Sequence, residues 1–275
     1  MTVQAKTRLQ YGSLFIIWLM IFIPMFPSMF QSWISHSNNS HGLLVPLISL
    51  YFVVKKRDSI DFEKDGSYFG CALLVLSMLI YLLSYSGGIF FPARLMIPLS
   101  LLCLVWSTLG MENLKTVLFP IFFLIFMIPV PDSILNLVSL PLQLIATDIS
   151  ALIIRSASIP VYQEGNLLYF AHAQLEVAEA CSGIQSIMAL TMLSVILVYI
   201  SNMKKVKCLI LILSAIPIAF AANVMRVSAT GIIAHFYGDG IARSFLHDIS
   251  GIVVFLIGLL ALFTLYKILS RSIQI

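Results

Sequence analysis

The sequence predicts an all-α polytopic membrane protein with about eight transmembrane helices, one amphipathic helix at the outer face and a short extracytoplasmic strand pair. Three observations carry that prediction. Of 275 residues, 60% are hydrophobic and 10% charged, where a soluble domain carries about 25% charged residues. With a mean hydropathy of +1.02, the chain cannot clothe its surface in charge, so that surface faces lipid. Apolar runs recur along the whole chain, and its lysines and arginines fall in clusters between them. The net charge of +4 is small, and no basic run interleaved with aromatics points to nucleic acid.

The basic N-terminus, "MTVQAKTRLQYG", leads into an apolar run longer than a signal-peptide core, and no small-x-small pattern closes it. It reads as a first span over 13–34. The next spans fall at 42–54 (short, and extended back into "SNNSH"), 67–86, 92–110 and 114–130. Over 133–154, Asn136, Ser139, Gln143, Thr147 and Ser150 recur at spacings of three and four. That makes a polar stripe on a helix expected to lie along the outer interface. Spans at 183–201, 208–230 and 249–268 complete the set. Between them, in 155–180, "QLEVA" alternates as a strand does and "EGN" makes a turn. A strand pair is expected there, feeding into Cys181.

Orientation follows from the basic residues. With the N-terminus inside and 133–154 not crossing, Lys6, Arg8, Lys55, Lys56, Arg57, Lys64, Lys115, Lys204, Lys205, Lys207, Lys267 and Arg271 are cytoplasmic. They are 12 of the 16 lysines and arginines. Arg94, Arg155, Arg226 and Arg243 remain towards the outside, with all five histidines, His36, His41, His172, His235 and His247.

An ionisable residue in a spanning segment is a functional-site candidate by default. Cys181 lies 23 residues before Lys204, Arg226 19 after Lys207, and His247 20 before Lys267. At about 1.5 Å per residue each separation is roughly one hydrocarbon thickness. The three residues are therefore expected at one depth, near the outer boundary. Their chemistry is coherent. A cysteine ahead of a helix is favoured as the thiolate. A histidine can move a proton to a leaving group. An arginine can hold an oxyanion or a carboxylate. Each also has a plain alternative: Cys181 as a small apolar residue, Arg226 as a snorkelling anchor, His247 as a cap beside Asp248. Asn223, three residues before Arg226 on the same helix face, favours a polar site over a lone anchor.

Glu176 and Glu179 precede Cys181 and either shape the site or simply face water. His41, in "SHG", is placed at the outer cavity. His36 and His41 stand five apart without a zinc-binding pattern, and no CxxC or CxxH spacing exists among Cys71, Cys103, Cys181 and Cys208. No metal and no cofactor is expected. His172 and His235 read as loop histidines, and Arg94 as the partner of an outer carboxylate.

The blocks "SHGLLVPLI" (40–48), "PVPDSILNLVSLPLQLIAT" (129–147), "IPVYQEGN" (159–166), "EVAEACSGIQS" (176–186), "IPIAFAANVMRVSATG" (216–231) and "FLHDISG" (245–251) resemble the exosortase/archaeosortase family. "EACSG" is the most specific of these and "NVMR" the next. The resemblance implies a polytopic membrane cysteine transpeptidase whose invariant Cys, Arg and His fall on Cys181, Arg226 and His247. It implies a thioester at Cys181; around it Glu176, Glu179, Asn223 and His41 are expected to shape the site as substrate-binding or supporting residues. The implied partners are secreted proteins with a C-terminal sorting signal of short motif, transmembrane helix and basic tail, besides membrane lipids. The implied setting is the plasma membrane, with the site facing the periplasm or exterior. Some members carry an extra C-terminal soluble domain. Here a single integral-membrane domain over 1–275 is expected, without that domain.

Two other functions compete. A non-enzymatic membrane component of exopolysaccharide assembly or export would need the three residues only for folding. A transporter would place its ionisable residues near mid-membrane on broken helices, not at one face. The topology is directly testable. Single cysteines at 56 and 205 should resist an impermeant maleimide in intact cells, and those at 172 and 239 should react. Labelling at 205 but not at 172 would overturn the orientation.

Overall fold

The computed structural model describes residues 3–62, 65–171, 173–177, 182–201 and 203–271, with side chains outside 3–9 and 239–250. The chain divides into two compact units, Met1–Pro131 and Asp132–Ile275.

In the first unit, α1 (Val3–Phe22) and α2 (Phe26–Ser35) are joined by a 3-10 turn at Ile23–Met25, where Pro24 and Pro27 interrupt the α-helical ladder. A 3-10 segment, Ser37–Leu43, runs into α3 (Leu44–Lys55). Then come α4 (Tyr68–Ser86) and α5 (Phe90–Phe123). Gly110 breaks α5 with φ 77 and ψ 177. Hydrogen bonds show how its two halves run. Tyr11 donates to the Thr108 carbonyl (3.3 Å), Trp18 to the Ser100 hydroxyl (2.8 Å) and Arg94 to the Ser28 hydroxyl (3.1 Å). Trp33 then donates to the Met127 carbonyl (2.8 Å). Residues 94 and 127 thus both meet the α2 end and residue 108 meets the α1 start, so the halves of α5 are antiparallel. Asn113 staples the turn by accepting from the Asp61 N–H (2.8 Å) and donating to the Asp61 carbonyl (2.6 Å).

The second unit opens with α6 (Asp132–Ser156). Three short strands follow, β1 (Tyr162–Glu164), β2 (Leu167–Tyr169) and β3 (Gln174–Glu176), antiparallel in the order β1-β2-β3. The expected strand pair is β2–β3, and β1 adds a third member across the "EGN" turn. Then come α7 (Ile184–Ile200), α8 (Lys205–Tyr237) and α9 (Asp239–Arg271). The sheet packs through Leu168, Phe170 and Val177 onto Ala151 and Ile154 of α6 and Val227 of α8.

Among the described residues, six helices are long and apolar enough to cross a membrane by length and composition. The expected count of eight is not reproduced on that measure, for three reasons. The two halves of α5 count as one segment, Phe90–Met127. α3, with 12 residues, and α7, with 17, are short. α6, expected at the interface, is itself among the six. Its polar stripe also lies opposite to expectation. Ser139, Gln143, Thr147 and Ser150 are buried, while Leu137 is 76% and Leu152 66% exposed. A helix lying on an interface shows its polar face to water; α6 turns these four polar residues into the protein and Leu137, Leu140, Leu144 and Leu152 outward, and only Asn136 of the stripe stays exposed. Two smaller expectations change as well. His235 sits in the last turn of α8, between the rings of Phe170 and Phe236. Among the described residues Arg94 takes Ser28 and the Phe90 ring, 6.0 Å from its guanidinium carbon, in place of a carboxylate.

Gly110 is the most demanding backbone position. Its φ and ψ lie in a region essentially restricted to glycine, and an added Cβ would stand 2.6 Å from the Asp65 carbonyl oxygen. Gly110→Ala should destabilise the protein by at least about 1–3 kcal/mol. The readout is the thermal midpoint of aggregation in detergent. An unchanged midpoint would mean that the α5 turn is not built this way.

Candidate active site

α7, α8 and α9 meet at three levels, which give the site its depth. At one end Lys207 Nζ of α8 donates to the Leu269 carbonyl of α9 (3.0 Å). In the middle, Gly258 of α9 faces α7 and α8: a Cβ there would be 2.9 Å from Leu190 Cδ1 and 4.0 Å from Ala222 Cβ. Leu190, Leu197, Leu211, Ala215, Ala219 and Leu262 form the core between these levels. Arg226 lies 19 residues along α8 from Lys207, about 28 Å at the helical rise.

At that far end two contacts gather the flanks of the three expected site residues. A methyl on Gly251 of α9 would stand 3.6 Å from Nη1 of Arg226. Position 247 is four residues before Gly251 in the same helix and so on the same face. A methyl on Gly183 would stand 3.0 Å from Cβ of Asn223, one turn before Arg226. Gly183 is two residues after position 181. Neighbours of all three positions therefore converge on one stretch of α8, Asn223–Arg226. Cys181 itself, with Glu179 and His172, lies outside the described residues, and the side chain of His247 is likewise not described.

The chain reaches this point by a specific local path. β3 ends at Glu176, whose side chain is exposed. The buried Val177 is then clamped: its N–H donates to the Asn166 carbonyl (2.9 Å), and its carbonyl accepts from Asn166 Nδ2 (3.2 Å). After the undescribed stretch, Ser182 is fully buried, and its hydroxyl accepts the Ile184 N–H (3.3 Å). Gly183 follows in the left-handed conformation, φ 81, as the N-cap of α7. Such a φ admits glycine freely and most other residues at a cost.

α8 is held from α6. The Ser150 hydroxyl donates to the Val224 carbonyl (3.3 Å). That carbonyl is the one a helical Ser228 would normally use, four residues back. The Ser228 hydroxyl is buried without a hydrogen-bond partner among the described residues. Asn223 is 1% exposed and Arg226 half-buried. His41 belongs to the first unit. There Gly42 lies so close to the Trp33 indole that a Cβ would overlap it. His41 makes a hydrogen bond with the Phe126 backbone.

The roles of Ser182, Gly183, Gly251 and Ser150 were not read from the sequence. The one local signal was the Ser-Gly pair before an apolar run, which is turn chemistry. Gly183→Ala should cost about 1–2 kcal/mol through its positive φ alone, besides pressing on Asn223. In a protein whose Cys71, Cys103 and Cys208 are alanine, it should also change the rate at which Cys181 reacts with a maleimide. Unchanged stability and rate would detach Gly183 from the site.

Comparison with known families gives a match to the transmembrane exosortase model over residues 33–264. No curated protein and no solved structure matches. The matched region contains the strands, Gly183, the Asn223–Arg226 stretch and Gly251, and it spans well over half the length: the chain belongs to the transmembrane exosortase family.

Proposed function

We propose that this protein is a membrane-embedded cysteine transpeptidase or protease that cleaves a C-terminal sorting signal from secreted proteins, with Cys181, Arg226 and His247 as its catalytic residues. One observation carries the reading: Asn223 against Gly183 and Arg226 against Gly251 bring the flanks of all three positions to one stretch of α8. Membership of the exosortase family supports it.

In this reading the Cys181 thiolate attacks the scissile carbonyl carbon and the carbonyl π pair moves onto oxygen. Arg226 holds that oxyanion. As the oxyanion collapses, the carbon–nitrogen bond breaks, and protonated His247 gives its proton to the departing amine. A thioester remains on Cys181. Water or an amine then attacks it, His247 takes the incoming proton, and the thiolate leaves. Position 181 stands three residues before α7, so the unpaired N–H groups of the first turn favour a negative sulfur. Glu176, Glu179, Asn223 and His41 are assigned to substrate binding or support.

The setting is a plasma membrane crossed about eight times, with the site on the outer face. The bond between Lys207 and Leu269 supports this orientation, because it puts the basic ends of α8 and α9 together, opposite Arg226. A substrate helix entering sideways would then deliver its motif to the Arg226 end and its basic tail to the lysine end.

Cys181→Ala should abolish substrate processing while protein level and membrane insertion stay normal, measured by the mobility of a secreted substrate on gels. Full maturation by that variant would leave only the non-enzymatic reading. Arg226→Lys keeps the charge but loses the planar five-donor fork. Processing should fall by roughly 10²-fold or more, the scale of one lost oxyanion donor. Near-normal processing would make Arg226 an interface anchor.

A further inference from the structure

The first unit contains a cavity of ≈ 310 Å³ between α1, α3 and both halves of α5. Its wall is hydrocarbon, with Phe15, Leu50, Val105 and Ile121 contributing. Two polar residues also line it, and both are already engaged. The Ser49 hydroxyl donates to the Pro120 carbonyl (2.7 Å). The Asn113 amide is shared between Asp61 and the Leu109 carbonyl (2.7 Å). No lining side chain is left to recognise a polar ligand, so the space suits hydrocarbon. Phe15 is 46% and Leu50 60% exposed, so the cavity opens sideways, on the face that lipid wets.

Lining and charge then select the occupant: an acyl chain needs no polar partner from this wall. Val53 and Ile60 also line the cavity, and Lys55 and Lys56 follow Val53 at the end of α3. Neighbouring cations are neutralised locally: Arg57 by Asp58 (3.5 Å) and Lys115 by Glu112 (3.3 Å). Lys55 and Lys56 are exposed and make no ion pair among the described residues. Adjacent lysines at a membrane surface attract anionic headgroups.

We propose that this cavity binds one acyl chain of an anionic phospholipid, whose phosphate rests on Lys55 and Lys56. The chain would lie against α1, α3 and both arms of the α5 hairpin. The site is independent of the catalytic reading, since none of its residues belongs to the proposed active site.

The test uses full-length protein in a mild detergent, incubated with phosphatidylglycerol or phosphatidylcholine of identical acyl chains and examined by native mass spectrometry. Wild-type protein should retain phosphatidylglycerol. Phosphatidylcholine, and phosphatidylglycerol on the Lys55→Gln/Lys56→Gln protein, should be retained about tenfold less or weaker. Leu50→Trp, which fills the open side, should lose both lipids. Equal retention of the two lipids by wild-type protein, or undiminished phosphatidylglycerol on Leu50→Trp, overturns the proposal. A measurement on wild-type protein avoids any folding defect in the variants. Phosphatidylglycerol with a diazirine in its acyl chain should crosslink to α3 and α5. Crosslinks spread evenly over all helices would also overturn it.

Discussion

The second unit is organised around a guanidinium that stands 19 residues up an apolar helix from the nearest lysine. Charge inside hydrocarbon is expensive, so two cations one hydrocarbon thickness apart on a helix are each held at a polar boundary. α8 starts with Lys205 and Lys207, carries Arg226 about 28 Å further along and continues to Tyr237. Its neighbours conform to that span. α9 returns its own basic end to Lys207 through Leu269 and passes a side-chain-free Gly251 beside the Arg226 head. The guanidinium is therefore bounded on that side by backbone, which leaves room for a group that α9 does not itself supply at 251.

Between those levels the helices pack by a rule peculiar to lipid. Leaving lipid gains an apolar helix face little, so close fit must supply the attraction. The facing positions are accordingly small: Ala215, Ala219 and Ala222 on α8 and Gly258 on α9, with Leu190 of α7 inserted against that glycine. The same device recurs where the sheet docks. Gly231 of α8 lets Ile154 of α6 and Phe170 of the strand layer approach its backbone; a Cβ there would lie 2.7 Å from Ile154 Cδ1. Small residues thus fix α8 on two sides, and its polar stretch Asn223–Arg226 inherits that rigidity.

What was legible in the sequence follows from this physics. Most apolar runs were read within a few residues of the helices, because hydropathy in lipid is a one-dimensional signal. The expectation of one depth for Arg226 and position 247 rests on helical rise, which converts residue counts to distance; the contact seen is between Arg226 and Gly251, one turn further along α9. The face of α6 was not. A stripe of Ser139, Gln143, Thr147 and Ser150 looks the same whether it meets water or another helix. Only the partner, here the Val224 carbonyl taken by Ser150, decides which. β1 was missed because "YQE" lacks the branched and aromatic alternation of a buried strand, although the turn after it was visible. Gly183 against Asn223 joins residues 40 apart, and nothing local in either segment announces the pairing.

Asn223 and Arg226 share one face of α8. An anchoring arginine needs only a stem that lies along apolar surface and a head in water. A buried amide is stable where its hydrogen bonds are met and costs free energy where they are not. Asn223 is 1% exposed, lies against the Ser182–Gly183 turn with its Cβ and amide carbon, and is engaged within the structure. The amide thus belongs to the contact between α8 and the turn where the chain passes from the strand layer into α7. Arg226 stands one turn further along α8 on the same face, so the packing that fixes the amide also fixes the start of the arginine side chain.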